Sequence, residues 1–216
     1  MSFLPLYFYF ILLCFLVSIT TFSKSFKGPF YLKLFPLFLF IVLLVEGLSS
    51  YMASKNKNNV PEYNLLAIFE FCFYLWLFSF IIISTRGKKI ARLIVPVYLI
   101  AAVSNLLFIQ KINTINTITY SLGGLVIISF CIYYFLELFR LPQSVKLTSN
   151  PSFWICVGLL FFYCCSFPLI GLINYWMHIS KFLIRNFSLI VNILHIFLYS
   201  LFTIAFLCRI RTRKYI

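Results

Sequence analysis

Aspartate is absent from this chain, and glutamate occurs only as Glu46, Glu62, Glu70 and Glu137. Only 10% of the residues are charged and 63% are hydrophobic, whereas a soluble domain is about a quarter charged. That balance excludes an ordinary soluble domain. Histidine occurs twice, at His178 and His195, so a zinc centre of about three clustered ligands would have only Glu46 and Glu70 to add to His195. No cysteine lies in a polar connection: Cys14, Cys72, Cys131, Cys156, Cys164, Cys165 and Cys208 all fall in apolar runs, and none are in C-x-x-C spacing. Neither a disulfide framework nor a metal knot is expected of them, and packing is their expected role. Phosphate-binding and dinucleotide glycine motifs are missing, as is the G-x-S-x-G nucleophile elbow. Residues 187–208 contain no lysine, which excludes a retinal Schiff base on the last helix. No enzyme activity, cofactor or metal is expected.

What the chain does have is apolar length. Runs of about 20 residues, enough to cross ~30 Å of hydrocarbon as helix, recur at 3–22, 31–53, 64–84, 93–110, 119–140, 153–176 and 187–208. The connections between them are short and polar, among them "TRGKKIAR", "QKINTINTI" and "MHISKFLIRN". The expected fold is an all-α membrane protein, one seven-transmembrane-helix bundle over residues 1–216. The first run has no basic residue ahead of it and no small-x-small site behind it, so a retained helix is expected rather than a signal peptide.

Basic residues in short loops prefer the cytoplasmic side. With the N-terminus outside and the C-terminus cytoplasmic, thirteen of the eighteen basic residues fall inside. They are Lys24, Lys27, Lys33, Arg86, Lys88, Lys89, Arg92, Arg140, Lys146, Arg209, Arg211, Arg213 and Lys214. Lys55, Lys57, Lys111, Lys181 and Arg185 fall outside. The net charge of +14 then reads as attraction to anionic lipid at the inner face, not as a nucleic-acid surface.

Three of the glutamates lie within the apolar runs. A carboxylate in hydrocarbon costs a few kcal/mol or more, so it faces the bundle interior and marks a functional site. Glu46 and Glu70 each lie seven residues from the outer end of their helix, and His195 lies eight. At about 1.5 Å per residue all three share a layer roughly 10–12 Å deep. On the last helix Ser188, Asn192, His195, Tyr199 and Thr203 form one stripe at helical spacing. Interhelical hydrogen bonding is the structural explanation of that stripe. The shared depth points instead to an outward-facing site of Glu46, Glu70, Tyr74, Asn174, Asn192, His195 and Tyr199. Asn105 and Tyr175 approach the same layer, Tyr163 and Ser166 extend it on helix 6, and Pro168 is expected to kink that helix. Glu137 is expected to pair with Arg140 three residues on. Glu62 follows Pro61 at a helix start, where negative charge is favoured.

The stretches "VPEYNLLAIFEFCFYLWLF" (60–78), "NPSFWICVGLLFFYCCSFPL" (150–169) and "NILHIFLYSLFTIAFLC" (192–208) resemble a bacterial family of short, uncharacterised seven-helix membrane proteins. Similar helical modules stand ahead of histidine-kinase domains. The resemblance implies a bacterial cytoplasmic membrane and a sensing role. A small molecule entering from outside would meet the polar layer, and the signal would leave through "TRGKKIAR" and "CRIRTRKYI" to a separate cytoplasmic partner. Two other readings stay open: a transporter of a small solute or protons built as a three-plus-one-plus-three repeat, and a structural membrane protein without ligand.

Overall fold

The computed structural model describes residues 4–22, 29–140, 147–171, 173 and 181–212, with side chains omitted at 181–184 and 209–212. Its described residues form seven α-helices. They are α1 (Leu6–Ile19), α2 (Phe30–Ser54), α3 (Val60–Ile81), α4 (Thr85–Phe108), α5 (Thr117–Phe139), α6 (Pro151–Gly171) and α7 (Lys181–Thr212). Six contain stretches long and apolar enough to cross a bilayer, which is compatible with a multi-pass membrane protein. The exception is α1, which has 14 residues and runs into a 3-10 turn at Thr20–Phe22. Helix and turn together extend about 27 Å, a little under the ~30 Å expected of a span.

Each helix packs on the next in the chain, α7 returns to α1, and α3 also reaches α5 across the ring. On α4 the buried residues Gly87, Ala91, Tyr98, Ala102 and Asn105 form a single stripe at helical spacing. Its other sides are Leu93, Val97, Ile100 and Leu107, each more than half exposed. Lipid accommodates such a surface.

Between α2, α3 and α7 the interior is filled with rings. Phe38 and Phe73 stack with centroids 4.0 Å apart. Phe35 meets Phe38, Phe73, Phe202 and Phe206 edge-on at 5.2–5.9 Å. Lipid tails are as apolar as phenylalanine, so these contacts stabilise through close packing and ring geometry rather than escape from water. Close approach of α3 and α5 depends on Gly123: a Cβ there would stand 2.6 Å from the Phe71 ring.

Helix α4 begins eight residues earlier than the apolar run at 93–110, because "TRGKKIAR" is its first two turns and not a loop. Ser84 caps that end, accepting from Gly87 N at 3.2 Å. Glu137 of α5 accepts from Ile83 N at 2.7 Å and Ser84 N at 3.1 Å. The expected pair with Arg140 does not form; Arg140 is exposed at the C-cap of α5, while the turn before α4 offers backbone donors that would otherwise go unmet. Charged, solvent-facing turns hide such a start from a hydropathy reading. Helix α7 likewise begins at Lys181 rather than 187 and extends to Thr212.

At the opposite end, α2 stops at a left-handed Asn56 with φ 53°. Lys57 N donates to Met52 O and Asn56 N to Ala53 O, each at 3.0 Å, which satisfies the last carbonyls of the helix. Glu62 sits in the first turn of α3 after Pro61. Pro168 lies inside α6, on its exposed side.

Candidate ligand-binding cavity

A partly enclosed cavity of about 350 Å³ occupies the end of the bundle where α2 ends and α3 begins. Every helix contributes to its lining. Tyr7 comes from α1, Glu46 from α2, Tyr63, Asn64 and Glu70 from α3, and Tyr98 from α4. Thr119 and Tyr120 come from α5, Phe162 and Tyr163 from α6, and Phe187, Val191 and His195 from α7. Glu46, Glu70 and His195, which counting along three helices places at one depth, thus line one space.

Tyr7 ties two of them together. Its hydroxyl donates to Glu46 Oε2 at 2.6 Å, and its ring stacks on the His195 imidazole with centroids 4.8 Å apart. Tyr63 donates to the same Glu46 oxygen at 3.2 Å. Glu46 is 4% exposed, so two hydroxyl donors replace the water this carboxylate loses. His195 is further held by Phe162, edge-on at 4.8 Å. Its Nδ1 lies 2.9 Å from Val191 O; a carbonyl only accepts, so Nδ1 is the donor. On a neutral imidazole Nε2 is then the acceptor, and it meets no hydrogen-bond donor among the described residues. Glu70 differs from Glu46: among the described residues its carboxylate has neither a hydrogen-bond nor an ion-pair partner, although it lines the cavity.

Beside the cavity, asparagines fasten the α4–α5 connection. Asn64 Nδ2 donates to Ile112 O and Thr114 O, both at 2.8 Å, and its Oδ1 accepts from Asn116 N at 3.1 Å. Asn105 Nδ2 donates to Asn116 Oδ1 and to Gln110 Oε1. Tyr120 donates to Ser166 Oγ at 3.0 Å, joining α5 to α6. The cavity lining goes no deeper on α3 than Glu70, on α7 than His195 and on α6 than Phe162. Past those residues the bundle is closed by buried Phe71, Tyr74, Phe78 and Phe202.

No family model, curated protein or solved structure matches this chain. The cavity's own residues therefore carry the functional reading. Among the described residues, no group of three His, Cys, Asp or Glu side chains is placed to hold a metal ion.

Other residues expected at this layer lie elsewhere. Tyr74 is 1% exposed and packs among Phe38, Phe73, Tyr163 and Phe202, off the cavity. Tyr199 is also 1% exposed, stacked behind His195 at 6.2 Å. Asn192 turns back onto its own helix, donating to Ser188 O at 2.7 Å. Thr203 does the same to Tyr199 O at 2.8 Å. Much of the α7 polar stripe therefore satisfies itself one turn back rather than across helices. Asn174, Tyr175 and His178 lie outside the described residues.

Tyr7, Tyr63, Asn64, Tyr98, Asn116 and Tyr120 line the cavity without having been singled out from sequence for it. A helical walk back from Glu70 through Ala67 and Tyr63 or Asn64 would have found two of them.

Proposed function

We propose that this protein is a membrane-embedded binding module that senses a small molecule from the extracytoplasmic side and signals to a separate cytoplasmic partner. The observation that carries the reading is the 350 Å³ cavity with an unpaired carboxylate, Glu70, on its wall. A carboxylate kept out of water without a partner is destabilising unless something else meets it. The proposed orientation follows from the basic residues: Arg86, Lys88, Lys89 and Arg92 stand on the first turns of α4, at the end opposite the cavity. With that end cytoplasmic and against anionic lipid, the cavity faces outward.

Helix α7 supplies a route for the signal. It carries His195 on the cavity wall and continues unbroken to Thr212, about 25 Å further along its axis. A ligand that shifts His195 against Tyr7 moves the α1–α7 contact with it. The ring-filled interior past Glu70 favours binding over passage of a solute, since a transporter would have to part those rings.

The test is hydrogen exchange on protein in lipid nanodiscs, with and without compounds drawn from a small-molecule library. Binding is expected to slow exchange around residues 60–70 and to alter it along 195–212. If no compound changes either segment, the sensing reading is overturned.

A further inference from the structure

We infer that the cavity selects a small organic cation, an ammonium group carried on an apolar or aromatic body. The inference rests on the binding reading above and concerns which ligand chemistry that site takes. Among the described residues the lining holds two carboxylates, Glu46 and Glu70, and neither lysine nor arginine. Glu46 already accepts from Tyr7 and Tyr63, whereas the Glu70 carboxyl has no partner among the described residues. The rings of Tyr98, Tyr120, Phe162 and Tyr163 line the same space. Tyr120 and Tyr163 lie 6.3 Å apart, centroid to centroid.

Each feature discriminates in the same direction. An ammonium ion pairs with Glu70, and its charge is also attracted to the ring quadrupoles at about 6 Å or less. Imidazole Nε2 of His195 offers an acceptor to a further N–H. An anion of the same size would meet two carboxylates at close range with no compensating cation among the described residues. A neutral alcohol would fill the space but leave Glu70 unpaired. The rings and the 350 Å³ volume fit an organic body rather than a bare metal ion, which would need more oxygen or nitrogen ligands than converge here.

The experiment uses three probes with one ring system and different end groups: tryptamine, tryptophol and indole-3-acetate. Binding is measured by calorimetry on the full chain in nanodiscs, with protein-free nanodiscs as the partition control. Tryptamine is expected to bind at least about 10-fold more tightly than tryptophol, the size of a charged hydrogen bond, with no measurable binding of indole-3-acetate. Glu70→Gln is expected to remove that preference while keeping the melting temperature. The comparison among probes on the unaltered protein stands even if the variant fails to fold. Tryptophol or indole-3-acetate binding as tightly as tryptamine overturns the cation assignment and leaves the binding reading intact. No saturable binding of any probe, or an unchanged preference in Glu70→Gln, overturns this inference, and the first of these counts against a ligand site here as well.

Discussion

Glu70 and Glu137 sit toward opposite ends of one bundle, and their surroundings differ in kind. Glu137 accepts two backbone N–H groups, from Ile83 and Ser84, and so closes the turn between α3 and α4. Glu70 accepts nothing from the described residues and faces a cavity. The regions around them differ in the same way. Past Glu70 the interior is a mass of interlocked rings; before it, tyrosines and asparagines border open space. A carboxylate that finishes a turn serves the fold, whereas one that finishes nothing within the fold is left for something outside it. Position on a long apolar helix would not have separated the two, since each has it.

The contrast can be broken or sharpened by substitution, with melting of the purified protein as the common measurement. The largest effect is expected from Gly123→Leu, whose side chain would drive α5 off the Phe71 ring at a cost of about 3 kcal/mol. Asn64→Ala removes two donors and one acceptor from the α4–α5 connection, costing about 2 kcal/mol and speeding tryptic cleavage at the exposed Lys111. Glu137→Ala leaves two backbone donors unmet and should lower stability by about 1.5 kcal/mol without altering ligand binding. Tyr7→Phe keeps the stack on His195 but loses one hydrogen bond to Glu46, about 1 kcal/mol. Glu70→Gln should move stability least, by under about 0.5 kcal/mol and upward, because it removes an unpartnered carboxylate and no contact among the described residues is lost. If Glu70→Gln proves as destabilising as Glu137→Ala, the distinction between the two carboxylates disappears.

The helices were legible because hydrocarbon demands continuous apolar length, and that demand is written in composition. Their ends were less so. The charged turns of α4 look like loop until Ser84 and Glu137 are seen supplying the missing acceptors. The layer of Glu46, Glu70 and His195 could be counted, since rise per residue converts position into depth. Which neighbours share it could not, because residues three and four steps away both fall near one face. From His195, Val191 at four steps back lines the cavity, while Asn192 at three steps turns away. The tyrosines escaped notice for another reason: in a chain that is 21% aromatic, Tyr7 or Tyr120 looks like any other packing residue until a hydroxyl is seen to have a partner.

The two helices joined by the Tyr7–His195 stack are unequal in length. The apolar part of α7, Arg185–Cys208, measures about 36 Å, against about 27 Å for α1 with its terminal turn. One exceeds a typical hydrocarbon core and the other falls short of it. If both cross one bilayer, it cannot match the two at once, and α7 tilts or the lipid thins beside α1. In that arrangement membrane thickness would act on the same seam that holds Tyr7 against His195, and acyl-chain length would become a physical input to the cavity.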